Sequence, residues 1–178
     1  MPQQRIALIG FMGAGKTTVG AILAARLGWD FVDTDALIEV RAGAPVAAIF
    51  RERGEQAFRD LEADVLAELA QRQRAVIATG GGAPSQERNA GFFNTAAATF
   101  HLRVSLEAAL QRVRGSGPRP MLSRDEAGVS ALFESRQSVY QRLGIAVDTD
   151  GREPAAVAEE IVRLLRNPRG SQAPAGSG

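Results

Sequence analysis

An almost apolar run, Arg5 to Ile9 (RIALI), ends at Gly10, and the chain continues GFMGAGKT and then TVGAILAARLG. The first run has the length and composition of a buried strand. Beyond the loop, apolar residues at 19, 22, 23 and 27 follow a helical period until Gly28 stops it. Between the two, residues 10–17 fit G-x-x-x-x-G-K-[ST], a phosphate-binding loop in its required place between strand and helix. A strand that feeds a crossover helix is followed by a parallel partner, so this order predicts a parallel α/β sheet.

The loop also holds a chemical choice. Of 21 basic side chains, all but Lys16 are arginine. Glycines let successive backbone N–H groups turn inward around phosphate oxygens, and the helix N-terminus adds partial positive charge. Gly13, Ala14, Gly15, Lys16, Thr17 and Thr18 are therefore expected to bind a nucleoside triphosphate. Lys16 would reach the β- and γ-phosphates, and Thr17 would offer its hydroxyl to Mg²⁺. A planar guanidinium cannot act as a point charge inside such a ring of amides. A dinucleotide site would need glycine three residues after Gly15, where Thr18 stands.

The alternation persists down the chain. Residues 30–33 (DFVD), 75–78 (AVIA), 97–102 (AATFHL) and 145–148 (IAVD) read as four more strands. Helices are predicted over 36–41, 45–53, 55–72, 106–114, 125–142 and 154–166. Phe58, Leu61, Val65, Leu66 and Leu69 form one apolar stripe, Ser105 is a plausible N-cap, and Pro154 suits a first helical position. The expected architecture is α/β, three layers (α/β/α) around a five-stranded parallel sheet. Residues 1–166 form one domain, with a substrate-binding segment at about 34–62 and a Gly/Pro-rich lid at about 115–125. The tail, 167–178, lacks apolar content and is expected to be disordered.

Bulk properties narrow the function. The chain has 178 residues, 45% apolar and 23% charged, which suits one soluble domain. A net charge of +1 provides no broad field for nucleic acid or an anionic membrane. The absence of cysteine excludes disulfides and thiolate metal sites. The opening decapeptide has no signal-peptide pattern, and no run reaches the roughly 18 apolar residues of a membrane span. A cytoplasmic monomer is expected.

Three chemical signals, Gly10, Asp33 and Gly80, each follow a strand end, where parallel sheets bind ligands. On an extended segment Asp33 and Asp35 would point the same way, about 7 Å apart. One could orient Mg²⁺ while the other accepts a proton from an attacking alcohol; alternatively Asp35 caps the next helix. Arg59 has Glu55 four residues before it and Glu62 three after, so both can pair with its fork, or it is a solvated helix charge. With Arg136, equally ambiguous alone, it would suit a substrate carboxylate. Gly80, Gly81 and Gly82 form either a plain turn or a close approach to a small ligand. Arg119 in GSGPRPMLSR is either a lid arginine for the transferring phosphate or a solvated loop residue. His101 is expected beside the core without a role, and Trp29 in packing. The Asn-Lys-x-Asp guanine element of a GTP switch cannot occur with one lysine.

Taken in order, these segments resemble the shikimate kinase family. Residues 10–18, Asp33-Thr34-Asp35, Ile49-Phe50, Gly54-Glu55 with Phe58-Arg59, the triple glycine 80–82, residues 119–122 (RPML), Arg136 with Tyr140, and Asp148-Thr149 carry the likeness, which spans Arg5 to about Leu165. It implies a P-loop NTPase fold of the nucleoside monophosphate kinase type and ATP-dependent phosphorylation of the 3-hydroxyl of shikimate, a step towards aromatic amino acids. It also implies that Asp35 binds the ring hydroxyls and serves as base, and that Asp33 and Thr17 hold Mg²⁺. Arg59, Gly81 and Arg136 would bind the substrate, with both arginines on its carboxylate. Phe50 and Phe58 would wall the pocket, Arg119 would close it, and Arg112, Arg152 and Pro154 would flank adenine. One departure is Gly144, where the family more often carries alanine, which touches the stiffness of that helix end. Two rivals share the loop: another small-molecule kinase, for gluconate or a nucleotide, and a regulatory nucleotide-binding domain without acceptor chemistry.

Overall fold

The computed structural model describes residues 4–114 and 126–167. In chain order it contains β1 (Arg5–Ile9), α1 (Lys16–Leu27), β2 (Asp30–Asp33), α2 (Thr34–Ala42), α3 (Val46–Leu69) and β3 (Ala75–Ala78). Two 3₁₀ turns (Ala83–Ser85 and Glu87–Asn89) lead into α4 (Ala90–Asn94), followed by β4 (Ala98–Arg103), α5 (Leu106–Arg114), α6 (Glu126–Leu143), β5 (Ile145–Asp148) and α7 (Pro154–Arg166). The five strands lie in the order β2-β3-β1-β4-β5, every pair parallel. All five residues of β1 and all four of β3 are buried, as expected of strands covered on both faces.

Side-chain alternation shows the three layers. Gly20 of α1 lies so close to the sheet that a Cβ there would meet the Phe31 ring at 2.5 Å and Leu8 at 3.2 Å. Leu8 pairs with Phe100, and the next pair, Ile9 with His101, points to the opposite face. There the His101 ring lies 5.0 Å from Tyr140 of α6. Helices α1 and α6 therefore cover opposite faces, and α7 packs beside α1.

From β1 the chain runs out to the edge strand β2, turns back to β3, and then passes over β1 to β4 and β5, so the connections leaving the neighbours β1 and β4 run to opposite sides. A crevice forms at such a switch point, beyond the carboxyl ends of the strands. The P-loop leaves β1 there.

The helices predicted over 45–53 and 55–72 are one interrupted element: α3 breaks at Gly54 (φ 83°, ψ 168°), a conformation that only glycine adopts freely. The second half stops at Leu69, short of residue 72. Just past that end the buried Arg5 guanidinium donates to the Ala70 carbonyl, satisfying an acceptor that a further turn would have used. Arg5 also donates to Phe92 O at 3.1 Å and Thr95 Oγ1 at 2.8 Å, tying α4 to the same end of the sheet. Among the described residues no helix is long and apolar enough to cross a membrane. The expected lid, at about 115–125, and the tail beyond Asn167 lie outside the described residues.

Candidate active site

Glycine gives the P-loop its shape. Gly13 and Gly15 are left-handed (φ 75° and 89°), and a Cβ on Gly13 would lie 2.7 Å from Ala109 O. Gly15 is the N-cap of α1 and places no side chain over the first turn, the end of a helix at which anions bind. Lys16 folds back along the loop, donating to Gly10 O (2.8 Å) and Phe11 O (3.0 Å). Its ammonium is held over the loop, where triphosphate oxygens would lie.

Across the crevice the acid pair does not have the extended geometry expected of it. Helix α2 already begins at Thr34, and Asp33, not Asp35, is its N-cap: Asp33 Oδ1 accepts from Asp35 N (3.0 Å) and Ala36 N (3.3 Å). The physical reason is that a carboxylate at a strand end satisfies two free helix amides at once. The other oxygen, Asp33 Oδ2, accepts from Thr17 Oγ1 at 2.6 Å. This contact joins the P-loop helix to β2 and places two hard oxygen donors at the loop. Asp35 falls in the first turn of α2 and turns inward. Its Oδ1 and Glu62 Oε1 would lie 2.9 and 2.8 Å from a Cβ built on Gly80, so only glycine fits between the two carboxyls. Gly80 N donates to the buried Thr34 Oγ1 (3.0 Å), which anchors the glycine turn to α2.

Arg59 is buried, against the solvated alternative. It donates to Glu62 (3.0 Å) and Glu55 (3.2 Å), and its guanidinium stands 5.3 Å from the Phe58 ring centroid. A Cβ on Gly82 would meet all three of its atoms Nη2, Nη1 and Cζ within 3.0 Å. Glu62 is fully buried. Burial pushes its carboxyl up to about 7, with Asp35 adding to the rise while Arg59 and Arg136 oppose it. Arg136, also buried, packs 6.0 Å from the Phe11 ring centroid and 3.1 Å from the Cβ position of Gly81. Tyr140 Oη donates to Gly81 O at 2.7 Å.

Most of these groups, though not Thr34, Glu55 or Tyr140, line one cleft of about 620 Å³. The structure brings together Gly13, Gly15, Lys16, Thr17, Thr18, Asp33, Asp35, Phe50, Phe58, Arg59, Gly80, Gly81, Gly82, Arg112 and Arg136. Arg112 reaches it from α5, donating to Gly13 O (3.0 Å) and to Thr149 Oγ1 and O (3.2 and 2.8 Å). Ala14 is buried under the loop instead of lining the cleft. Arg152 and Pro154 do not line it either: Arg152 bonds Asp148 O (3.0 Å) and Glu160 (2.6 Å), and Pro154 opens α7. Arg119 lies outside the described residues. Sequence reasoning gave no role to Thr34 or Tyr140 and used Glu62 only as a partner for Arg59. The four-residue spacing of Arg136 and Tyr140, one helical turn, was the available signal for the second.

The sequence model of shikimate kinases matches residues 12–166. The chain belongs to the shikimate kinase family. A shikimate kinase from Moorella thermoacetica is 45% identical over 162 residues, covering 90% of this chain and 94% of the relative. The solved shikimate kinase from Acinetobacter baumannii, in complex with shikimate, matches with a TM-score of 0.89 at 36% identity, covering 94% of this chain and 96% of that one. A deoxyadenosine kinase from M. mycoides, at 18% identity and a TM-score of 0.63 over 93% of this chain and 100% of that one, shares the fold alone. The three-layer architecture expected from the strand and helix order, and the P-loop kinase fold that the resemblance implied, are thus those of the shikimate kinase family.

Proposed function

We infer that this chain transfers the γ-phosphoryl group of ATP to the 3-hydroxyl of shikimate. The observation that carries the reading is the single cleft: Lys16 and the N-terminus of α1 on one side, Asp35 with the buried Arg59 and Arg136 on the other. A triphosphate fits the first set and a carboxylated polyol the second.

In the proposed reaction the loop amides and Lys16 bind the β- and γ-phosphates and offset charge as the bond to the bridging oxygen breaks. Arg59 and Arg136 hold the substrate carboxylate, fixing the ring so that its hydroxyl faces the γ-phosphorus in line. Asp35 accepts the hydroxyl proton as the new O–P bond forms, and ADP leaves. The hydroxyl of Thr17 and the carboxylate of Asp33 suit Mg²⁺, which takes one or two protein oxygens beside phosphate and water. When bound, the ion neutralises and orients the phosphates. Arg112 would lie beside the nucleotide, Arg119 would close over the phosphates, and Phe50 and Phe58, their rings 4.7 Å apart, would wall the substrate side.

ADP release measured against shikimate, gluconate, a nucleoside monophosphate and water tests the assignment. Turnover with shikimate alone is expected. Release indifferent to the acceptor would point to the regulatory rival, and turnover with gluconate in preference to shikimate to the other kinase.

A further inference from the structure

Tyr140 is the chain's single tyrosine and is fully buried. Its hydroxyl donates to Gly81 O at 2.7 Å, and Arg136 lies one helical turn before it on α6. At Gly81, a Cβ would lie 3.1 Å from Arg136 Nη1 and 3.4 Å from Tyr140 Oη. Both side-chain heads therefore close on the same glycine. Burial pushes the ionisation of Tyr140 up to about 12, which keeps it a neutral donor through the working range of pH.

The carbonyl that Tyr140 holds belongs to the planar peptide joining Gly81 to Gly82. Gly82 is the residue on which the Arg59 guanidinium rests, within 3.0 Å of its Cβ position. A turn of three glycines has little stiffness of its own. Its Gly80 end is tied to α2 through Thr34; its other end is tied to α6 through Tyr140. The glycine that the phenol holds thus stands against Arg136, and one rigid peptide plane joins it to Gly82, on which Arg59 rests.

We propose that Tyr140 is a positioning residue for the substrate carboxylate, its hydroxyl setting the separation of the Arg59 and Arg136 guanidinium groups by tying the Gly81–Gly82 peptide to α6. The proposal rests on the functional reading above. It requires no contact between Tyr140 and the nucleotide.

Tyr140→Phe removes one oxygen and keeps the ring. The expected result is a KM for shikimate raised about five- to twentyfold, with kcat and the KM for ATP within about twofold of wild type. With the methyl ester of shikimate, which lacks the negative charge, the two proteins should differ by less than about twofold in kcat/KM. An unchanged KM for shikimate, an equal loss on acid and ester, or a parallel rise in both substrates' KM values would overturn the proposal. A second measurement needs no variant. In wild-type protein labelled with ¹³Cζ-tyrosine, the one resonance should shift on adding shikimate and not on adding the ester; no shift with shikimate rejects the role. Wild type inactive on shikimate would instead remove the functional reading itself, so the two failures are distinguishable.

Discussion

Glu62 sits with no exposure between a cation and another acid, Arg59 on one side and Asp35 on the other. Burial wins over the Arg59 pairing and raises its carboxyl to about 7. As pH falls through this value Glu62 takes up a proton and Arg59 loses a charged partner. The expected outcome is an acid limb in kcat/KM for shikimate with an inflection near 7. Glu62→Gln should flatten that limb and lower kcat/KM at pH 8 by about five- to thirtyfold, the scale of one charge-assisted hydrogen bond. A limb that survives unchanged in the variant would assign it to another group. Asp35 is predicted to act on a different quantity. Asp35→Asn should lower kcat by about 10² or more, the range of a general base, and a kcat at the wild-type level would remove it from that role. Arg59→Ala should raise the KM for shikimate by well over tenfold and leave the KM for ATP nearly unchanged; equal effects on both would refute its place on the carboxylate.

At the scale of elements, two glycines separate stability from function. Gly144 follows α6 and lies against β4: a Cβ there would meet His101 N at 2.8 Å, His101 Cβ at 3.1 Å and Phe100 C at 3.2 Å. The departure from alanine at this position is therefore a matter of packing against a strand backbone, not of helix stiffness. Backbone atoms cannot swing aside, so Gly144→Ala should lose about 1–3 kcal/mol in urea unfolding by overpacking, with both KM values retained. Gly82→Ala meets the far end of Arg59 instead. A side chain can yield, but Arg59 yields by leaving Glu62 and Glu55. That variant should fail in shikimate affinity and keep its KM for ATP. The opposite pattern in the two variants would reverse this assignment. Helix α3 makes the same point: its amphipathic stripe is legible in the letters, whereas its break at Gly54, and its end tied down by Arg5 from β1, depend on where other elements arrive.

Over the whole molecule, two buried titratable groups oppose each other. His101 is held neutral: burial, then the charges of Arg103 and Lys16, lower it to about 4, with only Asp148 acting the other way. The unfolded chain binds this proton from its ordinary value of 6.5 downward, so stability present above pH 6.5 is lost as pH falls towards 4. Glu62 has the reverse sign. Its folded value of about 7 exceeds the ordinary 4.5, so its contribution is complete below pH 4.5 and is lost as pH rises through 7. Between pH 4.5 and 6.5 the two slopes, each at most ~1.4 kcal/mol per pH unit, largely cancel. Urea unfolding across that window should show Glu62→Gln losing stability more steeply with acid than wild type, and His101→Leu less steeply. Identical slopes in all three proteins would defeat the prediction.

Much of this protein can be read from the order of its letters. The loop at 10–17, the five strands, the acid after β2 and the triple glycine after β3 are local signals, because strand period, helix period and turn chemistry act over a few residues. Their convergence on one rim follows from parallel topology alone. The letters left Arg59 and Arg136 undecided between solvent and cleft, and could not show that Asp33 would cap α2 and leave Asp35 to face inward. They gave Glu62 no proton affinity and Tyr140 no partner. Burial, and the desolvation that shifts a carboxyl or aims a guanidinium, arises from residues distant in the chain. It came into being only when α3 and α6 closed over the glycine turn.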